Sequence, residues 1–565
     1  MIPMQYRSLF LLIFPALLLI SCGQEAIKET AGNLTPFTSS ALPTGTVIEA
    51  ILHEHIEVLA SDEFEGRAPA TPGEEKTIAY LQQQFEALDI APGNNGSYFQ
   101  SVDVTEIITD SSTVLKVQGN NFDASFNYRE QMMAGTQQQI PSISVQDSDM
   151  VFVGYGIVAP ERDWNDYAGI DVSGKTVVIL VNDPGYTTQD PELFNGNSMT
   201  YYGRWTYKYE EAARQGAAVA LIVHETGPAG YGWEVVSNSW SGPQIGLSSA
   251  NINNNLNEIE GWLTLDSAEA IFDGAGLNYQ ELKIAATQPG FIPVAISDLK
   301  TSISIENAIR TSTSQNVVAA IPGTSRPDET IIYTAHWDHL GVNTNLNEDS
   351  IFNGAADNAS GTAGLLALAY LHSQQAPTDR TLVFLAVTAE ESGLLGSQWY
   401  AENPIYPTAT TVANINIDNM NTFGRMKDVV VVGARSSELE NYLEQSAESQ
   451  GRYIKSEPNP ERGSYYRSDH FNFAKVGVPA LYARSGEDHV DFGVEYGSVQ
   501  AQDYTDNRYH AVSDEYDPEW DLSGAAEDIF LYFNIVSKLA DEVTYPEWFE
   551  GNEFKAIRDT TSNQR

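Results

Sequence analysis

Hydrophobic residues recur every three or four positions in two segments near the start of the chain. These segments are VIEAILHEHIEVLAS, from Val47, and EEKTIAYLQQQFEALD, from Glu74. Such spacing places the apolar side chains on one face of a helix, so the pattern predicts two amphipathic α-helices. The Gly- and Pro-containing stretch SDEFEGRAPATPGE lies between them and predicts a turn-rich connector.

The pattern becomes that of β-strands from about Ser148. The stretches VFVGYGIV, GKTVVILVND and ALIVHE contain apolar runs, and KYEEAARQGAAV before the last of them predicts a helix. We interpret residues 140–296 as an inserted β-rich domain. Its pattern resembles the protease-associated domain of secreted peptidases, which contributes no catalytic groups in its relatives, so we assign it none.

Apolar strands and helices alternate after Gln315. The predicted strands are NVVAAIPG, ETIIYTAH, RTLVFLAVTAEE, TVANINID and VGVPALYAR, and the predicted helices include SGTAGLLALAYLHSQ, GLLGSQWYAEN and DIFLYFNIVSKLADEV. Strands that are apolar almost throughout and separated by helices predict an α/β fold with a mostly parallel central sheet flanked by helices. This domain would comprise an N-terminal part, residues 45–135, and a main part, residues 297–545, followed by a tail over 546–565.

The first residues have the pattern of an export signal. Arg7 precedes an apolar stretch that ends at Ile20 and is shorter than a typical membrane-spanning helix. The sequence LISC resembles a bacterial lipobox, and its Cys22 is the only cysteine in the chain. We therefore predict a signal peptide over 1–21, a lipidated Cys22 and a flexible tether over 22–44. An ordinary signal peptide with a chance cysteine is the alternative.

Export with a lipid anchor would place the protein in the bacterial cell envelope, at the outer membrane, facing the periplasm or the cell surface. The chain has 76 acidic and 30 basic residues and a net charge of −46. A field of this sign repels nucleic acid and anionic membranes, so we expect neither as a partner, apart from membrane contact through the lipid. The acidic excess fits either a salty or alkaline habitat or simple solubility.

Metal-binding residue types follow the predicted strands. In an open α/β sheet the carboxyl ends of the strands meet at one edge, which is where such sheets place their chemistry. The residues at these ends are His336, Glu390, Glu391 and Asp418. Asp357 immediately precedes a predicted helix, and His510 occurs late in the chain. Nitrogen and oxygen donors of this kind suit zinc and, less exclusively, cobalt or manganese. Two histidines and three carboxylates, with one glutamate of the pair left as a base, make five ligands. This number exceeds the needs of one tetrahedral zinc and suits two metals that share a carboxylate.

The whole set resembles the secreted zinc aminopeptidases with two co-catalytic metals, a family that also contains glutamate carboxypeptidases and glutaminyl cyclases. The similarity covers roughly residues 45–130 and 315–540. It includes the spacing of the set, with 21 residues from His336 to Asp357, 34 from Asp357 to Glu391 and 27 from Glu391 to Asp418. The resemblance implies the fold of that family, a phosphorylase/hydrolase-like zinc exopeptidase.

The resemblance also implies which residues would bind the two zinc ions. Asp357 would bridge the ions, His336 and Asp418 would complete one site, and Glu391 and His510 would complete the other. His489, in SGEDHVDFG, competes with His510 for the last position. We prefer His510, because YHAVSDEYD resembles the segment that carries the last ligand in the family.

Catalytic roles follow from the same resemblance. Glu390 would act as the general base on a water that bridges the metals, Asp338 would support the ligand His336, and Tyr509 would steady the oxyanion. The stretch around Ser468 would form a pocket wall or support the ligands. His339 and His470 lie close in sequence to these residues, as supports of the site or as packing.

We thus expect a zinc-dependent aminopeptidase that hydrolyses N-terminal residues from peptides. A carboxypeptidase or a dipeptidase with the same site is the first alternative, and a glutaminyl cyclase or a non-catalytic receptor-like relative is less favoured. The sequence contains no GxSxG or HExxH motif, and its single cysteine lies in the signal region. One further histidine, His372, ends a predicted helix, where we expect it to be a cation that favours the helix C-terminus.

Overall fold

The computed structural model describes residues 42–119, 121–248, 255–344, 346 and 349–563. The predicted signal peptide, Cys22 and most of the predicted tether lie outside the described residues. Within the described ranges, no helix is both long and apolar enough to cross a membrane.

The described residues form helices and strands in the alternation that the hydrophobic pattern predicts. The α-helices are α1 (Gly45–Leu59), α2 (Pro72–Ala87), α3 (Pro184–Thr188), α4 (Trp205–Arg214), α5 (Thr226–Ala229), α6 (Trp233–Ser239), α7 (Leu265–Gly274), α8 (Tyr279–Ala285), α9 (Gly361–Ser373), α10 (Leu395–Glu402), α11 (Leu439–Ser449), α12 (His470–Lys475), α13 (Gly493–Asn507), α14 (Ser523–Asp541) and α15 (Lys555–Ser562). The strands are β1 (Ala91–Pro92), β2 (Phe99–Thr109), β3 (Val114–Gly119), β4 (Phe122–Asn127), β5 (Met132–Gly135), β6 (Ser142–Phe152), β7 (Val158–Ala159), β8 (Trp164–Asn165), β9 (Thr176–Leu180), β10 (Val219–His224), β11 (Pro243–Leu247), β12 (Ile259–Thr264), β13 (Val294–Ile321), β14 (Arg326–His336), β15 (Gly341–Val342), β16 (Ile351–Phe352), β17 (Arg380–Val387), β18 (Thr411–Asn416), β19 (Asp428–Val431), β20 (Tyr453–Ser456) and β21 (Ala480–Ser485).

The main sheet has the order β11-β2-β13-β17-β14-β18-β21. Its centre is parallel, because β14 pairs in parallel with β17 and β18, and β18 pairs in parallel with β21. Antiparallel strands β13, β2 and β11 extend one side. The predicted α/β fold with a mostly parallel centre is therefore confirmed, and the antiparallel extension is a feature that the apolar runs did not predict.

Helices cover both faces of the main sheet, as the continuous apolar strands predict. In β14, Ile331 and Tyr333 pack into the core that contains residues of α1, α9 and α14. Ile332 points to the opposite face, into a smaller core with Tyr400 of α10 and Phe473 of α12. This alternation leaves only the ends of the strands available for chemistry.

A second sheet, called here the insert sheet, has its own core. It contains β3, β4, β5, β6, β9, β10, β12 and the first half of β13. Its buried residues run from Leu115 to Ile305. The sequence pattern placed residues 115–135 with the first domain and residues 297–305 with the main domain, but the structure packs both segments into the second core.

The single strand β13 belongs to both sheets. Its first half, around Ile303, pairs with β6, whereas its second half, around Thr311, pairs with β2. The predicted boundary at 296/297 therefore falls inside a continuous strand. The polar sequence in the middle of β13 conceals this continuity, because neither face of that stretch is apolar.

His372 differs from the sequence-based expectation. It is buried because most residues of α9 are covered by the surrounding structure. Its Nε2 lies 3.0 Å from the hydroxyl of Tyr333. Burial lowers the pKa of His372 to about 3. The residue is thus a neutral side chain of the core, and the expected helix-end cation is wrong.

The pKa of His372 predicts a loss of stability in acid. The unfolded chain binds a proton near pH 6.5 that the folded protein refuses until about pH 3, so the stabilisation present above pH 6.5 is lost as the pH falls through this range. His372→Gln should reduce the pH slope of the unfolding free energy between about pH 6 and 4 by up to about 1.4 kcal/mol per pH unit. Urea unfolding at several pH values measures this slope, and equal slopes in both proteins would contradict the assignment.

Candidate metal centre

The predicted ligands meet at the carboxyl edge of the main sheet. His336 is the last residue of β14, Glu390 and Glu391 follow β17, and Asp418 follows β18. Asp357 lies in a helical turn, residues 355–360, immediately before α9. His510 reaches the same edge from the segment after α13.

Two groups of potential ligands share one carboxylate. In the first group, Nε2 of His336 lies 3.4 Å from Oδ1 of Asp357 and 3.5 Å from Oδ1 of Asp418. In the second group, Nε2 of His510 lies 3.2 Å from Oδ2 of Asp357 and 3.0 Å from Oε2 of Glu391. Asp357 therefore presents one oxygen to each group, which is the arrangement that a bridging carboxylate requires.

A second histidine joins the second group. Nδ1 of His339 lies 2.6 Å from Oε1 of Glu391, and His339, Asp357 and Glu391 offer ligand atoms within 4.8 Å of one another. The sequence pattern predicts a supporting or a packing role for His339 and not that of a ligand. Its position three residues after His336, on the loop that leaves the same strand, was the signal available. The buried His339 and the part-exposed His510 now both stand as candidates for this site.

Asp338 supports the site differently from the expectation. Its carboxylate lies 3.9 Å from Nδ1 of His336, too far for a hydrogen bond, while its backbone carbonyl oxygen is 3.1 Å from that nitrogen. The carboxylate instead accepts hydrogen bonds from the backbone N–H groups of Glu390 and Glu391, at 3.1 and 3.4 Å. Asp338 thus orients His336 through its backbone and the two glutamates through its side chain. Burial raises the pKa of Asp338 to about 7.

Glu390 lies beside the first group without joining it. One of its carboxylate oxygens is 3.9 Å from Nε2 of His336, a longer distance than those to Asp357 and Asp418. Burial, followed by the charges of Asp418 and Glu391, raises the pKa of Glu390 well above its usual range, although His336 opposes this shift. A carboxylate in this setting readily takes up a proton.

The electrostatics of the edge call for a cation. Burial alone would lower the pKa of His336, but Glu390, Asp357 and Asp418 hold it well above the usual range. Converging carboxylates attract positive charge, and protons on His336 and His510 supply part of it. Imidazole nitrogens and carboxylate oxygens are donors that zinc accepts, so the residues fit the metal that the resemblance implies.

Asp418 is held by the segment before α12. The hydroxyl of Ser468 donates to Oδ2 of Asp418 at 2.5 Å, and Nδ2 of Asn416 donates to Ser468 at 2.7 Å. His470, in contrast, is buried against the ring of Tyr465, and burial lowers its pKa to about 3. Ser468 therefore supports a proposed ligand, whereas His470 is a packing residue.

His489 and Tyr509 are the remaining predicted candidates, and they occupy different places relative to the carboxylates. Nδ1 of His489 accepts backbone hydrogen bonds from Asp491 and Phe492, both at 3.1 Å, so this histidine organises its own loop. Tyr509 stacks on His510 with ring centroids 3.9 Å apart and is 49% exposed, at the mouth of the site. The structure thus brings His510, and not His489, to the carboxylates.

Comparison with known proteins gives a family match over the part of the chain that carries this edge. Residues 316–534 match the model of Peptidase family M28. "Aminopeptidase NAALADL1" of Mus musculus is 34% identical over 167 residues, which are 28% of this chain and 20% of that protein. A "Probable zinc metalloprotease" of Pyricularia oryzae is 32% identical over 120 residues, which are 21% of this chain and 22% of that protein. The chain thus spans about a fifth of the length of these curated relatives.

Among solved structures, an "Aminopeptidase from Aneurinibacillus sp. strain AM-1" is similar over 88% of this chain and 95% of its own. The sequence identity is 20% and the TM-score is 0.47.

Proposed function

We propose that this protein, whose residues 316–534 match Peptidase family M28, is a zinc-dependent exopeptidase that removes N-terminal residues from peptides. One observation carries the proposal: two groups of ligands share Asp357 at a sheet edge where Glu390 stands beside them. Two zinc ions would occupy these groups, with cobalt or manganese as possible substitutes. The name of the aminopeptidase relative favours the N-terminal end of the substrate.

The chain's own residues would carry the proton transfers. Zinc, when bound, supplies Lewis acidity that makes water more acidic and polarises a carbonyl group. Glu390 takes a proton from the attacking water and returns it to the nitrogen of the leaving amine. The carboxylate of Asp338 keeps Glu390 in place by accepting a hydrogen bond from its backbone N–H. The hydroxyl of Tyr509, at the mouth of the site, donates to the developing oxyanion.

We also propose that the chain is exported and anchored by lipid at Cys22, with the insert sheet as part of a protease-associated domain. The lipobox-like sequence and the lack of any other cysteine support the anchor. Labelling with a fatty-acid analogue in a bacterial host tests it: label in the wild-type protein and none in Cys22→Ser is the expected result. Label in both proteins would contradict it.

Substrate preference tests the proposed activity. Aminoacyl-nitroanilides with a free amine should be hydrolysed, and their N-acetylated counterparts should not. A chelator should abolish hydrolysis and zinc should restore it. Bound zinc without hydrolysis of either set would contradict the aminopeptidase, and a protein that binds no zinc would contradict a zinc metallopeptidase.

One observation favours the alternative, a carboxypeptidase. Arg204, from the segment before α4, is only 9% exposed, and its Nε has no hydrogen-bond partner among the described residues. Burial lowers the pKa of Arg204, and the positive charge of Arg467, the residue before Ser468, lowers it further. The resulting pKa is about 10. Together, Arg204 and the exposed Arg467 would offer two positive charges to the carboxylate of a peptide.

Peptides with a blocked amine and a free carboxylate separate the two activities. A carboxypeptidase would cleave them, and Arg204→Gln would raise KM for them more than it lowers kcat, because the contact is with the bound carboxylate. An aminopeptidase would leave them intact in both proteins.

A further inference from the structure

The turn that carries Asp357 lies between two buried, oppositely charged side chains. Arg67 comes from the connector between α1 and α2, and Asp514 comes from the segment after His510. Arg67 is 1% exposed and Asp514 is fully buried. Both side chains direct their hydrogen bonds to backbone groups next to the proposed ligands.

Arg67 uses its guanidinium to hold backbone carbonyl groups of the two ligand loops. Nη1 donates to the carbonyl of Asn353 at 2.6 Å and Nη2 to that of Gly354 at 2.9 Å, just before Asp357. Nε donates at 2.9 Å to the carbonyl of Trp337, the residue after His336. A planar guanidinium fixes several acceptors in one geometry, so Arg67 sets the position of these loops relative to each other.

Asp514 holds the same turn from its N–H side. Its carboxylate accepts from the backbone N–H groups of Ala356 at 3.0 Å and of Asp357 itself at 3.1 Å. Its own carbonyl accepts from the N–H of Ala355 at 3.0 Å. The backbone from Asn353 to Asp357 is therefore held by Arg67 through carbonyl groups and by Asp514 through N–H groups.

The charges of the two residues also bear on the site. Burial lowers the pKa of Arg67 to about 10, and Asp514, followed by Asp338, Asp357 and Glu391, opposes this shift. A full positive charge thus stays buried behind the carboxylates of the metal centre. An uncharged replacement would leave these backbone carbonyls without donors in the protein interior, which is costly.

We propose that Arg67 and Asp514 are a pair of positioning residues that hold the Asp357 turn in the geometry that binds metal. The inference rests on the proposed function, because it assumes that Asp357 is a metal ligand. Neither residue touches the ligand atoms, so both act through the backbone. Partners outside the ligands typically change metal affinity by about 10- to 100-fold when they are replaced.

Zinc affinity in Arg67→Lys and Asp514→Asn tests the proposal. Each change keeps a polar group of similar size but removes part of the hydrogen bonding to the turn. Competition with a chromophoric chelator should show a zinc Kd about 10- to 100-fold higher than that of the wild-type protein. The visible absorption of the cobalt-loaded protein should shift as well, because the ligand geometry changes.

Arg380→Lys is the matched control. Arg380 is another fully buried arginine and donates to the carbonyl of Leu539 at 2.6 Å, but it lies at the first residue of β17, at the opposite end from the metal centre. The Arg380→Lys variant should have a lower temperature of unfolding, with the zinc Kd and the cobalt spectrum unchanged. If Arg67→Lys does not fold, Asp514→Asn decides the question alone.

The outcomes distinguish a failure of the positioning pair from a failure of the proposed function. A wild-type protein that binds zinc, with variants of unchanged Kd and unchanged cobalt spectrum, would overturn the positioning pair and leave the proposed function standing. A wild-type protein that binds no zinc would overturn the proposed function and this inference with it.

Discussion

Replacement of Glu390 by glutamine is expected to lower kcat by about 100- to 10,000-fold while zinc stays bound. Glutamine preserves the size of the side chain but cannot take a proton from water. The carboxylate of Glu390 lies 3.9 Å from Nε2 of His336, beside the first ligand group and outside it, so the ligands themselves are unchanged. Initial rates at saturating substrate, together with metal analysis of the same sample, measure both quantities.

A glutamate on the neighbouring helix serves as the control for this variant. Glu402 ends α10, is exposed and accepts from Gln398, so Glu402→Gln should leave kcat unchanged. If Glu390→Gln also lost zinc, Glu390 would be a ligand and not the base. If kcat stayed at the wild-type value, the proposed role of Glu390 would be refuted.

Asp357→Asn is expected to remove both metal ions and all measurable hydrolysis. Oδ1 of Asp357 faces His336 and Oδ2 faces His510, so this side chain is common to both groups. An amide offers one oxygen and no negative charge, and therefore cannot bridge two cations. Metal analysis after gel filtration should give no zinc, compared with two ions per chain in the wild-type protein.

Two further variants serve as controls for the number of ions lost. Asp418→Asn, which affects the first group alone, should lose one ion and keep the other. Asp349→Asn, at an exposed position shortly before the turn, should lose neither. Retention of two ions by Asp357→Asn would exclude a bridging role for Asp357.

The sequence predicted the main sheet and the edge that carries the site, for one physical reason. Buried parallel strands are apolar along their length, so the polar residues that follow His336 and Val387 mark the strand ends. Because the carboxyl ends of parallel strands lie together, the strand pattern alone groups residues that are far apart in the chain. Their roles as zinc ligands stay a prediction.

The features that the sequence did not predict depend on contacts between distant segments. Whether His339 points towards Glu391 or into the core is decided by the course of a loop, which residue types do not specify. The backbone of Asp338, and not its carboxylate, meets His336 for the same reason. His372 is neutral because α14 and the main sheet bury it, and helix position alone indicated a cation.

The 28-residue strand β13 gives the molecule a mechanical continuity that two domains joined by a loop would lack. A rotation of the insert sheet against the main sheet would have to bend this strand or break its ladder with β2 and β6. We therefore expect the two sheets to keep one relative orientation, without a hinge motion between them. A substrate would then bind without closure of the insert sheet towards the main sheet.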